Sequence, residues 1–179
     1  LALRARSGRA LFFALLISLL GPGSMALHAS MTHWGGVADV CTMFLFIAFP
    51  LVHNATRLAP GSRLGFGLLY AVLGAGLVGL EIVRYRNANL GFGILIGAFL
   101  ASEAAVRAGG RAGGRDPRWL AAAAACFFLG LALWLPSRRP DGALCAPESL
   151  LQGHAVWHLL CALAAAALFR YLEPELAEG

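Results

Sequence analysis

Six apolar stretches, separated by short polar connections, make up most of the chain. They cover residues 10–30, 35–52, 64–83, 90–106, 119–135 and 150–171. Each is near the ~17–25 residues that an α-helix needs to cross the hydrocarbon core of a bilayer. The connections hold most of the arginine and proline residues. The pattern therefore predicts an all-α fold: a polytopic transmembrane helix bundle, one domain over residues 1–179, with six helices visible.

The composition agrees with a membrane protein. The chain is 59% hydrophobic and 13% charged, whereas a soluble domain carries roughly 25% charged residues. The net charge of +5 comes from fourteen basic residues, all of them arginine. Because these arginines lie mostly between the apolar stretches, we interpret them as topology signals. No RNA-binding or DNA-binding motif accompanies them, so a nucleic-acid partner is not expected.

The distribution of arginine predicts the orientation. With six alternating crossings, ten arginines fall on the side of the N-terminus and four on the opposite side, namely Arg84, Arg86, Arg138 and Arg139. Cytoplasmic loops carry the excess of positive charge. We therefore expect a multi-pass protein of a bacterial inner membrane, with its C-terminus in the cytoplasm.

Several other residues of the apolar stretches are predicted to have structural roles. The Gly-Pro-Gly triplet at 21–23 predicts a break in the first helix. The spacing of Glu81 and Arg84 predicts an ion pair at a helix end. Glu103 and the arginine four residues after it form a second pair, and His53 is expected at the membrane interface.

Five polar residues converge at one level of this topology. Ser24 and His28 close the first stretch, Asp39 opens the second, and His154 and His158 open the sixth. All five fall on the non-cytoplasmic side. Residues i and i+4 share a helix face, so the two histidines of the last stretch can point at one atom. Imidazoles are costly in lipid, and three of them together indicate a metal site.

Three imidazoles and a water form a common open zinc site. Zinc lowers the pKa of its bound water to about 7 and polarises a carbonyl. Asp39 could then take the proton of that water, and Ser24 could donate a hydrogen bond to a developing oxyanion. Taken singly, the His154/His158 pair could be two interfacial histidines, and Asp39 a residue at a helix end near water.

Three segments resemble a known family. Residues 23–30 (GSMALHAS), 34–39 (WGGVAD) and 152–158 (QGHAVWH) are similar to the alkaline ceramidase-like branch of a seven-helix membrane hydrolase superfamily. That superfamily also holds the adiponectin and progestin receptors and the Per1-type lipid-remodelling proteins. Its signature is S-x-x-x-H in the second helix, Asp in the third and H-x-x-x-H in the seventh.

The resemblance implies a site and a reaction. His28, His154 and His158 would be zinc ligands, and Ser24 and Asp39 would be the catalytic residues that assist the water. The expected reaction is the hydrolysis of a lipid amide, ceramide-like, on the exoplasmic side of the bilayer. The signature also implies a helix before the S-x-x-x-H helix. We therefore expect one further helix before residue 1, which would bring the bundle to seven helices.

Other functions fit parts of the pattern. A lipid-binding receptor with a structural zinc, or a lipid esterase or phospholipase of the same superfamily, would need the same ligands. A rhomboid-like serine hydrolase would use Ser24 but would leave two histidines idle. A b-type cytochrome needs axial ligands on separate helices. Residues 4–24 also resemble a signal peptide, but the apolar run continues into the motif. No protein partner is predicted.

Overall fold

Six α-helices form the described part of the chain. The computed structural model describes residues 7–60, 65–84, 88–137 and 152–177, and the single residues 142, 145 and 149. The helices are α1 (Gly8–Ser30), α2 (His33–Leu58), α3 (Phe66–Arg84), α4 (Ala88–Ala108), α5 (Pro117–Ser137) and α6 (Gly153–Leu176). No strand occurs among these residues, so the prediction of an all-α fold is confirmed.

All six helices are long and apolar enough to cross a membrane, as expected of a multi-pass membrane protein. Their bounds follow the predicted stretches closely. Helix α2 continues past the predicted end at residue 52, because polar residues end the apolar run there without ending the helix. The predicted start of the last stretch at residue 150 lies outside the described residues. So do six of the arginines counted for orientation: Arg4, Arg6, Arg63, Arg86, Arg138 and Arg139.

The helices divide into two compact units, α1–α4 and α5–α6. In the first unit, α1 and α2 form a tight antiparallel hairpin. Helix α1 ends at Met31, which adopts a left-handed conformation (φ 50°) and donates its N–H to Leu27 O at 2.8 Å. Thr32 then caps α2, because its Oγ1 accepts the N–H of Gly35 at 3.1 Å. Two residues therefore suffice to reverse the chain.

Two glycines let α1 and α2 approach closely. A Cβ at Gly23 of α1 would overlap the side chain of Thr42, with Cγ2 at 2.8 Å. A Cβ at Gly35 of α2 would overlap the carbonyl of Ala26 and the hydroxyl of Ser30. Small residues at such positions are what close packing of membrane helices requires. The two contacts fix the register of the hairpin.

The predicted break in α1 does not occur. The helix runs without interruption from Gly8 to Ser30, with Pro22 inside it. A proline removes one hydrogen bond from a helix but need not end it when neighbouring helices hold both sides. Here Gly23 and Ala26, just after the proline, lie against α2. Ser24 and His28 are therefore positioned by a continuous helix.

Helix α2 is central to the first unit, where it packs against α1, α3 and α4. The hydroxyl of Tyr70 on α3 donates to Leu45 O at 3.0 Å. A Cβ at Gly74, one turn later, would lie 3.1 Å from Leu45 Cδ2. On α4, a Cβ at Gly91 would lie 3.2 Å from Phe44. Glycines therefore allow close contacts along several faces of α2.

A buried polar network joins α2 to α4. Asn54 Nδ2 donates to Glu103 Oε2 at 3.2 Å and to Ser102 Oγ at 3.1 Å. Arg107 Nε donates to Glu103 Oε1 at 3.1 Å, which confirms the predicted i,i+4 pair. His53 is only 3% exposed, and its ring stacks on that of Phe49, one turn earlier in α2. Its predicted level at the membrane interface stays a prediction.

The second unit consists of α5 packed against α6. A Cβ at Gly130 of α5 would lie 2.9 Å from the ring of Trp157, which also stacks on Trp134 with ring centroids 5.5 Å apart. At the other end of α6, Arg115 and Glu175 form a buried ion pair of 2.8 Å. These two contacts hold α6, which carries the H-x-x-x-H motif, at both ends.

Candidate metal centre

The two histidines of the H-x-x-x-H motif lie in the first and second turns of α6. Gln152 is the N-cap residue, and the helix begins at Gly153. Gly153 is buried against α5, where a Cβ would lie 2.9 Å from Leu133 O. The start of the helix is held in this way, and the side chains of His154 and His158 project from the same face of α6. Their ring centroids are 4.7 Å apart and their planes are inclined by 61°.

Ser24 and His28 occupy the last turns of α1. They are four residues apart in a continuous helix, so they share a face as the sequence predicts. Ser24 is half-buried and His28 is exposed. Gly23 and Ala26 take up the face of α1 that touches α2, which leaves the imidazole on another side of the helix.

Three histidines form a group that could hold a metal ion. His28 of the first unit and His154 and His158 of the second could each offer one ring nitrogen to such an ion. This is the set of ligands that the sequence predicts. Among the described residues, these histidines are the one group of at least three side chains that could bind a metal ion together.

The donor set fits zinc. Neutral imidazole nitrogens bind zinc at about 2.0–2.1 Å, so three nitrogens on one tetrahedral ion are about 3.3 Å apart. Three protein ligands also leave a fourth position open, which is typical of catalytic rather than structural zinc.

Asp39 lies at the level of the S-x-x-x-H turn within the first unit. It is one turn from Gly35 and one turn from Thr42, the two positions of α2 that touch α1. Because the helices are antiparallel, these contacts bracket Asp39 and place it level with the turn that begins at Ser24 and ends at His28. The carboxyl group is half-buried. Its assistance to catalysis, like that of Ser24, stays a prediction.

Glu81, for which the sequence predicts an ion pair with Arg84 at a helix end, is 2% exposed within the first unit. The side chain of Arg84 is outside the described residues, so the ion pair stays a prediction. Only the i,i+3 spacing was visible in the sequence. Its burial depends on how α3 packs on α2, for which the apolar pattern holds no signal.

Comparisons with known proteins add no family. A scan against protein-family models, a search of curated proteins and a search of solved structures found no match for this chain. Any function must therefore be inferred from the residues and from their arrangement.

Proposed function

We propose that this chain is an integral-membrane zinc hydrolase that cleaves a lipid amide. The observation that carries the proposal is that three histidines, His28, His154 and His158, form a group that could hold a metal ion. Zinc is the metal whose preference for three nitrogen ligands and an open position matches this group best. The similarity of the three motifs to the alkaline ceramidase-like family supports the same reaction.

The chemistry divides between the metal and two side chains. Bound zinc supplies a Lewis acid that polarises a carbonyl and favours deprotonation of water. Asp39 accepts the proton of the attacking water as the new carbon–oxygen bond forms. Ser24 donates a hydrogen bond to the carbonyl oxygen as negative charge develops on it. The proton held by Asp39 then passes to the leaving nitrogen when the carbon–nitrogen bond breaks.

A lipid is the favoured substrate because of where the histidines lie along their helices. His28 is close to the end of α1, and His154 and His158 are close to the start of α6. At ~1.5 Å per residue, all three are within about two turns of a helix end. In a spanning helix this depth corresponds to the level of lipid head groups, where the amide of a ceramide-like lipid is found. The distribution of arginine favours the exoplasmic leaflet of a bacterial inner membrane.

Metal analysis combined with a lipid panel tests the proposal. The purified protein is analysed for zinc and then incubated with ceramide, with a diacyl phospholipid and with a lipid ester. Released fatty acid is measured by mass spectrometry. We expect about one zinc per chain and release of fatty acid from the amide substrate. The release should stop on chelation and return when zinc is restored.

The other outcomes separate the alternatives. Release from the ester or the phospholipid alone would assign the same zinc chemistry to an esterase or phospholipase. Bound zinc without release from any lipid would favour a receptor-like protein in which zinc is structural. Absence of zinc, or release that survives chelation, would overturn the proposal and favour a serine hydrolase.

A further inference from the structure

The indole side chain of Trp157 on α6 enters a notch in the surface of α5. It lies over Gly130, where a Cβ would meet the ring carbon Cε3 at 2.9 Å. Phe127 lies about one turn before Gly130 on α5 and Trp134 one turn after it. Both rings contact the indole, each with its ring centroid 5.5 Å from that of Trp157. The notch therefore has a glycine as its floor and an aromatic ring on each side.

The contacts between the start of α6 and α5 come from one side of α6. A Cβ at Gly130 would also lie 3.2 Å from Leu160 Cβ, and a Cβ at Gly153 would lie 2.9 Å from Leu133 O. An α-helix turns by about 100° per residue, so Gly153, Trp157 and Leu160 fall within a sector of roughly 60°. This sector is the side of α6 that packs on α5.

The two histidines of the H-x-x-x-H motif project from a different side of α6. By the same rotation per residue, the centre of the His154/His158 face lies roughly 110° from the centre of the side that packs on α5. The direction of both imidazoles therefore depends on the rotation of α6 about its own axis. Side chains end about 5–6 Å from that axis, so a rotation of about 10° moves them by about 1 Å. Metal–ligand distances tolerate only about ±0.2 Å.

We propose that Trp157 is a positioning residue that fixes the rotation of α6. Rotation of the helix moves the indole out of the notch, so that it loses its contacts with the two aromatic rings or collides with them. Gly153 lets the start of α6 approach α5, but it has no side chain that would resist rotation. The consequence for metal binding rests on the proposed function, whereas the packing of Trp157 on Gly130 does not depend on it.

Zinc titration of the purified full chain tests the consequence for the metal. Gly130→Ala adds a methyl group to the floor of the notch, where it overlaps the indole, and Trp157→Ala empties the notch. We expect each variant to raise the Kd for zinc about tenfold or more, a loss typical of residues that orient metal ligands. The Kd is measured by competition with a chelator of known affinity. An unchanged Kd in either variant would overturn the proposal.

A compensating substitution separates positioning from a general loss of packing. In the double variant Gly130→Ala/Trp157→Phe, the smaller aromatic ring leaves room for the added methyl group. We expect the double variant to recover most of the zinc affinity that Gly130→Ala loses, and to unfold at a higher Tm than Gly130→Ala. Such recovery shows that the two positions act through one contact. A double variant that binds zinc no better than Gly130→Ala would contradict the positioning role.

Two controls match these variants in residue type. A Cβ at Gly97 of α4 would have nothing within 4 Å, so Gly97→Ala should keep the parent Kd. Trp119 of α5 also reaches α6, where the guanidinium of Arg170 lies 5.6 Å from its ring, but this contact is near the other end of α6. Trp119→Ala should lower Tm and leave the Kd unchanged.

The controls also decide between a specific and a general effect. An equal loss of zinc affinity in Trp119→Ala would show that any weakening of the contact between α5 and α6 is sufficient, and it would overturn the role of Trp157. If the parent protein binds no zinc, the proposed function fails. The Tm of the double variant relative to Gly130→Ala still decides whether Gly130 and Trp157 hold the two helices together.

Discussion

At the scale of single residues, the proposed chemistry depends on imidazoles that are held at the ends of helices. The start of α6 is fixed by the burial of Gly153 against α5, so the direction of His154 and His158 is set by packing. His28 belongs to a helix that continues through a proline. Packing within each unit therefore orients the histidines of that unit before any metal binds.

Removing one ligand should release the metal. His154→Ala and His158→Ala each leave two imidazoles in the group, and a two-ligand site binds zinc much more weakly. We expect both variants to be purified without stoichiometric zinc and to lack hydrolytic activity. His33→Ala is the matched control, because this histidine lies outside the group; it should keep its zinc. Full zinc content in His154→Ala would remove that residue from the ligands.

Removing the carboxylate of Asp39 should separate metal binding from catalysis. Asp39→Asn keeps the size of the side chain but cannot accept a proton. General acid–base catalysis contributes typically 10²–10⁴-fold, so we expect kcat to fall by about 10²-fold or more. The zinc content should stay that of the parent protein. An Asp39→Asn variant with unchanged kcat would exclude this residue from the mechanism.

The sequence could predict the group of three histidines that could hold a metal ion from periodicity and topology. The i,i+4 spacing sets the shared faces, and alternate crossings predict which helix ends lie on one side. It could not predict the buried environments of His53 and Glu81. Burial of a polar side chain depends on which faces of α2 and α3 meet, and many apolar faces are equivalent in the sequence. The predicted roles of Ser24 and Asp39 await their variants.

At the scale of helices, glycine determines how closely the hairpin of α1 and α2 can pack. Gly35 touches the backbone of α1 at Ala26. Backbone atoms cannot rotate away as the end of a long side chain can. The level of Asp39 relative to Ser24 therefore depends on a residue that has no side chain and takes no part in the chemistry.

A matched pair of glycine substitutions tests this point. Gly35→Ala would place a methyl group against the carbonyl of Ala26, whereas Gly21 of α1 has nothing within 4 Å of an added Cβ. Alanine favours a helix over glycine by about 1 kcal/mol. We therefore expect Gly21→Ala to leave Tm equal or higher and Gly35→Ala to lower it by several degrees in thermal unfolding. Equal effects of the two substitutions would contradict the close approach.

The sequence predicted the presence of the helices better than the positions where a helix breaks or ends. All six helices were predicted from apolar runs, because a run of membrane-spanning length has few other solutions. The break at 21–23 was wrong, since the effect of proline depends on neighbouring helices that the local sequence does not show. The end of α2 at Leu58 was missed for the opposite reason. His53 and Asn54, which end the apolar run, are buried within the first unit, and Asn54 is hydrogen-bonded to α4.

At the scale of the whole molecule, orientation decides which leaflet supplies the substrate. A hydrolase with its histidines on the exoplasmic side acts on lipids of the outer leaflet, whereas the opposite orientation would give it cytoplasmic lipids. The excess of arginine on one side favours the first arrangement. The hairpin of α1 and α2 is suited to a direct test, because its turn and the end of α2 lie at opposite ends of the same helix.

Two single cysteines report the orientation. In a variant whose native cysteines are replaced by alanine, Met31→Cys lies in the turn and Ala59→Cys follows the end of α2; both native residues are exposed. We expect a membrane-impermeant maleimide to label Met31→Cys in intact bacterial cells, and to label Ala59→Cys only after permeabilisation. The reverse pattern would place the histidines on the cytoplasmic side. The substrate would then have to come from the inner leaflet, even if every zinc ligand proved correct.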